Sequence, residues 1–139
     1  MVALISHTSF DALDPYAQSV FWGRVLGFGE DPEDPNLPGH EECMVFSADG
    51  RTRILFLEVP DAKQVKNRVH LDLEPAPGGT RDEELARLLE IGATVVDDRR
   101  TPEGHGWVVL ADPEGNEFCI LRTAAERAAN PGPDADDQD

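Results

Sequence analysis

The sequence predicts an α+β fold of two βαβββ modules in tandem, on three observations. Several stretches alternate in the manner of a half-buried strand: in Asn67 to Pro75, Val69, Leu71 and Leu73 point one way and Arg68, His70, Asp72 and Glu74 the other. Two stretches carry helix signatures with their own start and stop signals. Features also return at a fixed interval, His7 and His70 being 63 residues apart, as are the pairs Ala48-Asp49 and Ala111-Asp112. A period that long, in only two copies, points to a duplicated domain rather than a solenoid.

The first element is a strand over Val2 to Asp11. A helix follows from Pro15 to Leu26, with Asp14 as cap acceptor, proline at the first helical position and Gly27 or Gly29 to close it. Three extended segments come next, near Glu30 to Pro35, at Glu42 to Ser47 and over the apolar run Arg53 to Val59, the last two joined through "SADGR" with Gly50 in the turn. The pattern then restarts with a strand at Arg68 to Leu73. The second helix runs from Thr80 or Arg81 to Ile91, with Thr80 and Glu83 in capping-box spacing and Leu85, Leu88 and Leu89 on one face. Strands at Thr94 to Asp97, Gly106 to Ala111 and Glu117 to Arg122 complete the copy. The modules thus cover about 1–60 and 65–123 of a domain spanning 1–127, and residues 128–139, "AANPGPDADDQD", read as an acidic disordered tail with too little apolar surface to offset ordering.

A chain of 139 residues can bury a core without disulfides or a structural metal. Twenty-eight acidic against twelve basic residues give a formal charge of −16, and Lys63 and Lys66 are the only lysines. Such a surface repels polyanions, which excludes nucleic acid and anionic membrane as partners. The start "MVALISHTSF" is too short and polar for a signal peptide, no apolar run reaches membrane-spanning length, and Cys43 and Cys119 show no metal spacing. A reducing cytoplasm is the expected location. No GxSxG, Walker loop, dinucleotide fingerprint or HExxH is present.

His7, Ser9 and Asp11 share one face of the first strand as His70, Asp72 and Glu74 share one face of the fifth. Either a solvated sheet face or the wall of a polar cavity gives this pattern.

Four segments, "DPYAQSVFWGRVLGF", "VPDAKQVKNRVHLDL", "GATVV" and "WVVLADPEGNEFCILR", together resemble the vicinal oxygen chelate superfamily, and more closely its glyoxalase-like domain members. The resemblance covers the chain to about residue 123. It implies a mixed sheet curled around a central cleft with the helices outside, a divalent metal between the modules, and homodimerisation. It places ligands on the first, fourth, fifth and eighth strands, commonly two His or Gln and two Glu. Carried over by position, His7 and His70 are the two imidazole ligands, sensible for Zn, Ni, Mn or Fe. The eighth-strand Glu position holds Cys119. For the fourth strand, aligning Gly50 with Gly115 sets Ile54 opposite Cys119, and neighbouring Phe56 and Leu57 are apolar. Two of four ligands remain, which weighs against any bound metal.

The expected ligand cleft is lined by Ile54, Phe56, Asp72, Trp107 and Cys119. Asp72 stands about 6–7 Å along the strand from His70, near enough to orient the imidazole. Cys119 reads as a small buried hydrophobe, and Trp107 as the cleft rim between Gly104 and Gly106 and the strand. The function these residues imply is binding of, or catalysis on, a small oxygenated organic compound, with lyase and dioxygenase chemistries the enzymatic options. The alternative is sequestration of an antibiotic or other hydrophobic ligand without catalysis.

Overall fold

The computed structural model describes residues 1–134. They form a mixed α+β structure with two sheets, neither closed, of three and four strands. The chain divides into two compact units, Met1–Lys63 and one beginning at Gln64.

In the first unit β1 (Thr8–Ala12) leads into α1 (Pro15–Leu26), followed by β2 (Glu42–Phe46) and β3 (Arg53–Glu58), with sheet order β1-β3-β2. β1 runs parallel to β3, and β2 antiparallel to it. The start of α1 follows the sequence signal: the Asp14 carboxylate accepts from Ala17 N at 3.1 Å, and Pro15 supplies a first residue that needs no acceptor. Gly27 ends it at φ 66°, a left-handed conformation that glycine adopts without penalty. The helix buries Phe21, Trp22 and Val25 against Phe10, Cys43, Val45, Ile54 and Phe56, with Phe10 edge-on to Trp22 and Phe56 at 5.6 and 5.5 Å.

Two expected strands differ here. β1 begins at Thr8 rather than Val2, because its partner begins at Arg53; before that residue the chain turns from Ser47 to Thr52 and offers no ladder. The segment near Glu30 to Pro35 forms no strand, and one bridge, Gly29 to Phe46, stands just ahead of it. Pro32, Pro35 and Pro38 remove three backbone donors from the stretch, so a ladder cannot propagate. Asn36 takes over instead: its amide donates to Met44 O at 2.8 Å and accepts from Met44 N at 3.1 Å, imitating a peptide unit on the outer edge of β2.

The second unit contains β4 (Leu71–Leu73), α2 (Arg81–Ile91), β5 (Thr94–Asp98), β6 (Val108–Ala111), β7 (Glu117–Ile120) and α3 (Ala124–Ala129), with sheet order β4-β7-β6-β5. β4 is parallel to β7 and the remaining pairs are antiparallel. Thr80 caps α2 through Glu83 N at 3.2 Å, while its hydroxyl donates to the Glu83 carboxylate at 2.8 Å. Leu85 and Leu88 of α2 are buried, as are Val108, Leu110, Phe118 and Ile120 of the sheet. β4 starts three residues later than expected, again because its partner β7 begins only at Glu117; the Asn67 side chain accepts from that residue's N–H at 3.2 Å in place of a strand.

The last two residues of α3 and the segment after it fall in the stretch from residue 128 expected to be a disordered tail. Thr123 and Glu126 form a capping box, and Ala128 and Ala129 are the helix's last residues. Beyond them, Arg122, fully buried, holds the chain: its guanidinium donates to Asn130 O at 2.7 Å and grips the Asp134 carboxylate at 2.9 and 3.0 Å. Gly106 N also donates to Pro133 O at 3.1 Å. Residues 135–139 of the expected tail fall outside the described residues. Among those described, no helix is long and apolar enough to cross a membrane.

Candidate functional site

Registered strand partners share a sheet face, so the row Asp72, Cys119, Val109, Asp97 lies on one face of the second unit's sheet. The opposite face carries Leu71, Phe118 and Leu110, the last two without solvent exposure. Three chemically different donors converge on the first face: one atom each from His70, Asp72 and Cys119, all within 4.8 Å of one another. His70 stands just ahead of β4, its Nδ1 3.2 Å from Asp72 Oδ1, with both side chains about half exposed. Cys119 is buried in β7. Burial pushes its thiol pKa up to about 12, and the nearby Asp72 charge and a hydrogen bond to that carboxylate act in the same direction. Without a cation the thiol is therefore a neutral donor to Asp72 and a poor nucleophile. Beside the trio, Lys66 pairs with Glu117 at 2.9 Å.

Trp107 and Val109 flank the cysteine on the same face, both half-buried. Arg99 N donates to Trp107 O at 2.9 Å, prolonging the β5–β6 ladder, and the Arg99 guanidinium lies 5.9 Å from the ring centroid. The face thus offers an apolar wall next to a nitrogen, an oxygen and a sulfur.

Three other expected site residues, His7, Ile54 and Phe56, lie in the first unit. His7 belongs to the first unit, where it precedes β1, is exposed and has Nδ1 3.0 Å from Ser6 Oγ. Ile54 and Phe56, expected in the ligand cleft, belong to the core beneath α1, at 4% and 0% exposure. Alternation along β3 puts Leu55 and Leu57 on the other face instead, in register with Ser9 and Asp11. The cause is a turn of unequal length. The first hairpin closes from Ser47 to Thr52 and the second from Asp112 to Asn116, so aligning their glycines misplaces the following strand by one residue. The parallel registers settle the correspondence: Ser9 pairs with Leu55 as Asp72 pairs with Cys119. The counterparts of His70, Asp72 and Cys119 are therefore His7, Ser9 and Leu55, and Leu55 has nothing to donate. By the same token Ala48-Asp49 sits in its turn while Ala111 ends a strand, so those two pairs are not equivalent.

Sequence spacing marks Asp72 as a neighbour of His70 but misses its hydrogen bond to Cys119. That contact depends on the parallel β4–β7 register, which joins residues far apart in the chain.

The arrangement of two units that each begin β-α-β, the second carrying a histidine, a carboxylate and a thiol on a sheet face, defines a class of folds built from a duplicated module. The glyoxalase-like domain family matches residues 7–121, and the chain belongs to that family, within the vicinal oxygen chelate superfamily. Solved structures agree on the fold. The genomically encoded fosfomycin resistance protein FosX from Listeria monocytogenes, complexed with Mn(II) and sulfate, is 19% identical with a TM-score of 0.63, covering 93% of this chain and 98% of that one. A glyoxalase/bleomycin resistance protein/dioxygenase family enzyme from Burkholderia phytofirmans PsJN is 22% identical with a TM-score of 0.59, covering 83% and 94%. A possible glyoxalase from Bacillus cereus is 16% identical with a TM-score of 0.62, covering 86% and 99%. No curated protein matches the chain in sequence.

Proposed function

We propose that this protein binds a small oxygenated organic molecule on the second unit's sheet face, through a divalent metal held by His70, Asp72 and Cys119. The convergence of these three donors carries the reading. An imidazole nitrogen, a carboxylate oxygen and a thiol sulfur form a set suited to Zn, Co or Ni, and three protein ligands leave a position open for a ligand oxygen. The metal would supply Lewis acidity toward that oxygen. The chain's own contribution is to hold Cys119 within a buried strand, to keep Asp72 between it and His70, and to present Trp107 and Val109 as an apolar wall. A cytoplasmic location fits this use of cysteine, both thiols being free and buried.

Calorimetric titration of metal-free protein with Co2+ tests the proposal. One equivalent is expected to bind, with a thiolate-to-cobalt absorption band in the near ultraviolet. Binding strengthens as pH rises, because the metal must displace a thiol proton whose pKa is raised to about 12. Cys119→Ser and His70→Ala should each remove the signal, whereas His7→Ala should leave it unchanged. Loss in His7→Ala would overturn the three-residue site. Absence of any binding would leave the second reading, sequestration of a hydrophobic compound against Trp107 and Val109 without catalysis.

A homodimer is part of the proposal. β1 and β4 are edge strands, and the residues just before them are apolar and open: Leu4 and Ile5 are 89% and 88% exposed, Val65 and Val69 76% and 77%. A second copy covering these edges would remove that surface from water. Light scattering should give twice the chain mass; a monomer at micromolar concentration counts against it.

A further inference from the structure

We propose that the groove between the Glu74–Thr80 loop and α3 binds a small organic amine, a site independent of the His70–Asp72–Cys119 face. Its volume is about 580 Å³, within the range of small-molecule sites. One wall is the loop, stiffened by the buried Pro75 and by Pro77 and closed by a turn in which Gly79 N donates to Ala76 O at 3.0 Å. The other wall is the exposed alanine face of α3, including Ala125 and Ala129.

The polar groups lining the groove decide what it recognises. Its two threonines serve the helices: the Thr80 hydroxyl accepts from Glu83 N and the Thr123 hydroxyl from Glu126 N. Glu126 Oε1 accepts both Arg81 N at 2.9 Å and Thr123 N at 3.1 Å, so one oxygen satisfies the two helix starts and Oε2 remains for a ligand. Glu74 adds a second, exposed carboxylate, and among the described residues no basic side chain lines the groove.

Carboxylates only accept hydrogen bonds, so a complementary ligand must donate them. An anion is excluded: the helix starts already hold Glu126, and Asp82, Glu83 and Glu84 crowd the first turn of α2. Among the described residues no aromatic ring lines the groove, which disfavours a quaternary ammonium cage and favours a primary or secondary amine with N–H groups. The prolines and alanines accommodate an apolar body. The chain's charge of −16 draws cations toward it.

The test uses the full chain, 15N-labelled, titrated with phenethylamine, 2-phenylethanol and 3-phenylpropionate, three probes of similar shape and different charge. Phenethylamine is expected to shift the Gly78, Gly79, Ala125 and Ala129 amide signals saturably, to bind at least about fivefold more tightly than the alcohol, and to weaken with salt. The propionate should give no shifts there. Glu74→Gln with Glu126→Gln should reduce the amine to the alcohol's affinity; glutamine retains the capping box, so α3 persists. Ala129→Phe, which fills the groove and leaves both carboxylates, should abolish binding as well. Equal affinity for amine and alcohol, shifts confined to other residues, or no shifts with any probe would each overturn the proposal. None of these outcomes bears on the cobalt titration, so the two sites stand or fall separately.

Discussion

Asp134→Ala is expected to lower the unfolding free energy by about 3 kcal/mol, far more than the loss of an ordinary exposed acidic residue. The reason lies in Arg122, whose side chain is 2% exposed while that of Asp134 is 16% exposed. The pair is bidentate, Nε to Oδ1 at 2.9 Å and Nη2 to Oδ2 at 3.0 Å, the fork geometry that makes arginine–carboxylate contacts strong. Removing the carboxylate leaves a guanidinium out of water with backbone carbonyls alone, and a buried charge robbed of its counter-ion is among the largest single destabilisations known. Urea unfolding followed by far-ultraviolet circular dichroism measures it. Arg122→Met combined with Asp134→Leu should recover most of the loss, since it removes both charges together. A loss below about 0.5 kcal/mol for Asp134→Ala, the size of an exposed pair, would mean that the C-terminal segment is not anchored in solution.

Phe56→Ala is expected to destabilise the fold by about 3–5 kcal/mol, the usual range for a fully buried phenylalanine. Its ring has no solvent exposure and sits edge-on to Phe10, which in turn meets Trp22. Removing it opens a cavity between sheet and helix whose walls are held by their own backbone hydrogen bonds, so little of the space can close. Leu55→Ala, one residue away and on the other face, should cost less because Leu55 is only half-buried. The same urea titration, run on both variants, separates the two faces of β3: similar losses would contradict the assignment of Phe56 to its buried face and Leu55 to the other.

These two residues also mark where the sequence could and could not be read. The helices were legible almost to the residue, since their starts and stops are written locally, in Asp14-Pro15, Thr80 and the glycines at their ends. Strand cores were legible from alternation, but their lengths were not. A strand lasts as long as its partner does, and β1 and β4 are cut short by turns more than 40 residues further along. The face assignment of Ile54 and Phe56 failed for a related reason. One extra residue in the Ser47–Thr52 turn inverts every side chain after it, and the glycine common to the two turns does not mark where that residue is inserted. His70, Asp72 and Cys119 were each singled out, yet their union depends on a parallel pairing between β4 and β7. The helix at Ala124–Ala129 did leave a signal, the Thr123-x-x-Glu126 spacing, hidden by the proline and aspartate composition of the residues after it.

The amide of Asn36 has one more consequence. β2 is an outer strand, and an outer strand with free N–H and C=O groups is a template on which other chains can stack into fibrils. At Met44 both backbone groups are already taken by a side chain that cannot be extended, and the prolines on either side of Asn36 deny a newcomer the donors it would need. Together with the Gly29 bridge to Phe46, the asparagine occupies the outer edge of β2 and denies a second chain that edge as a template.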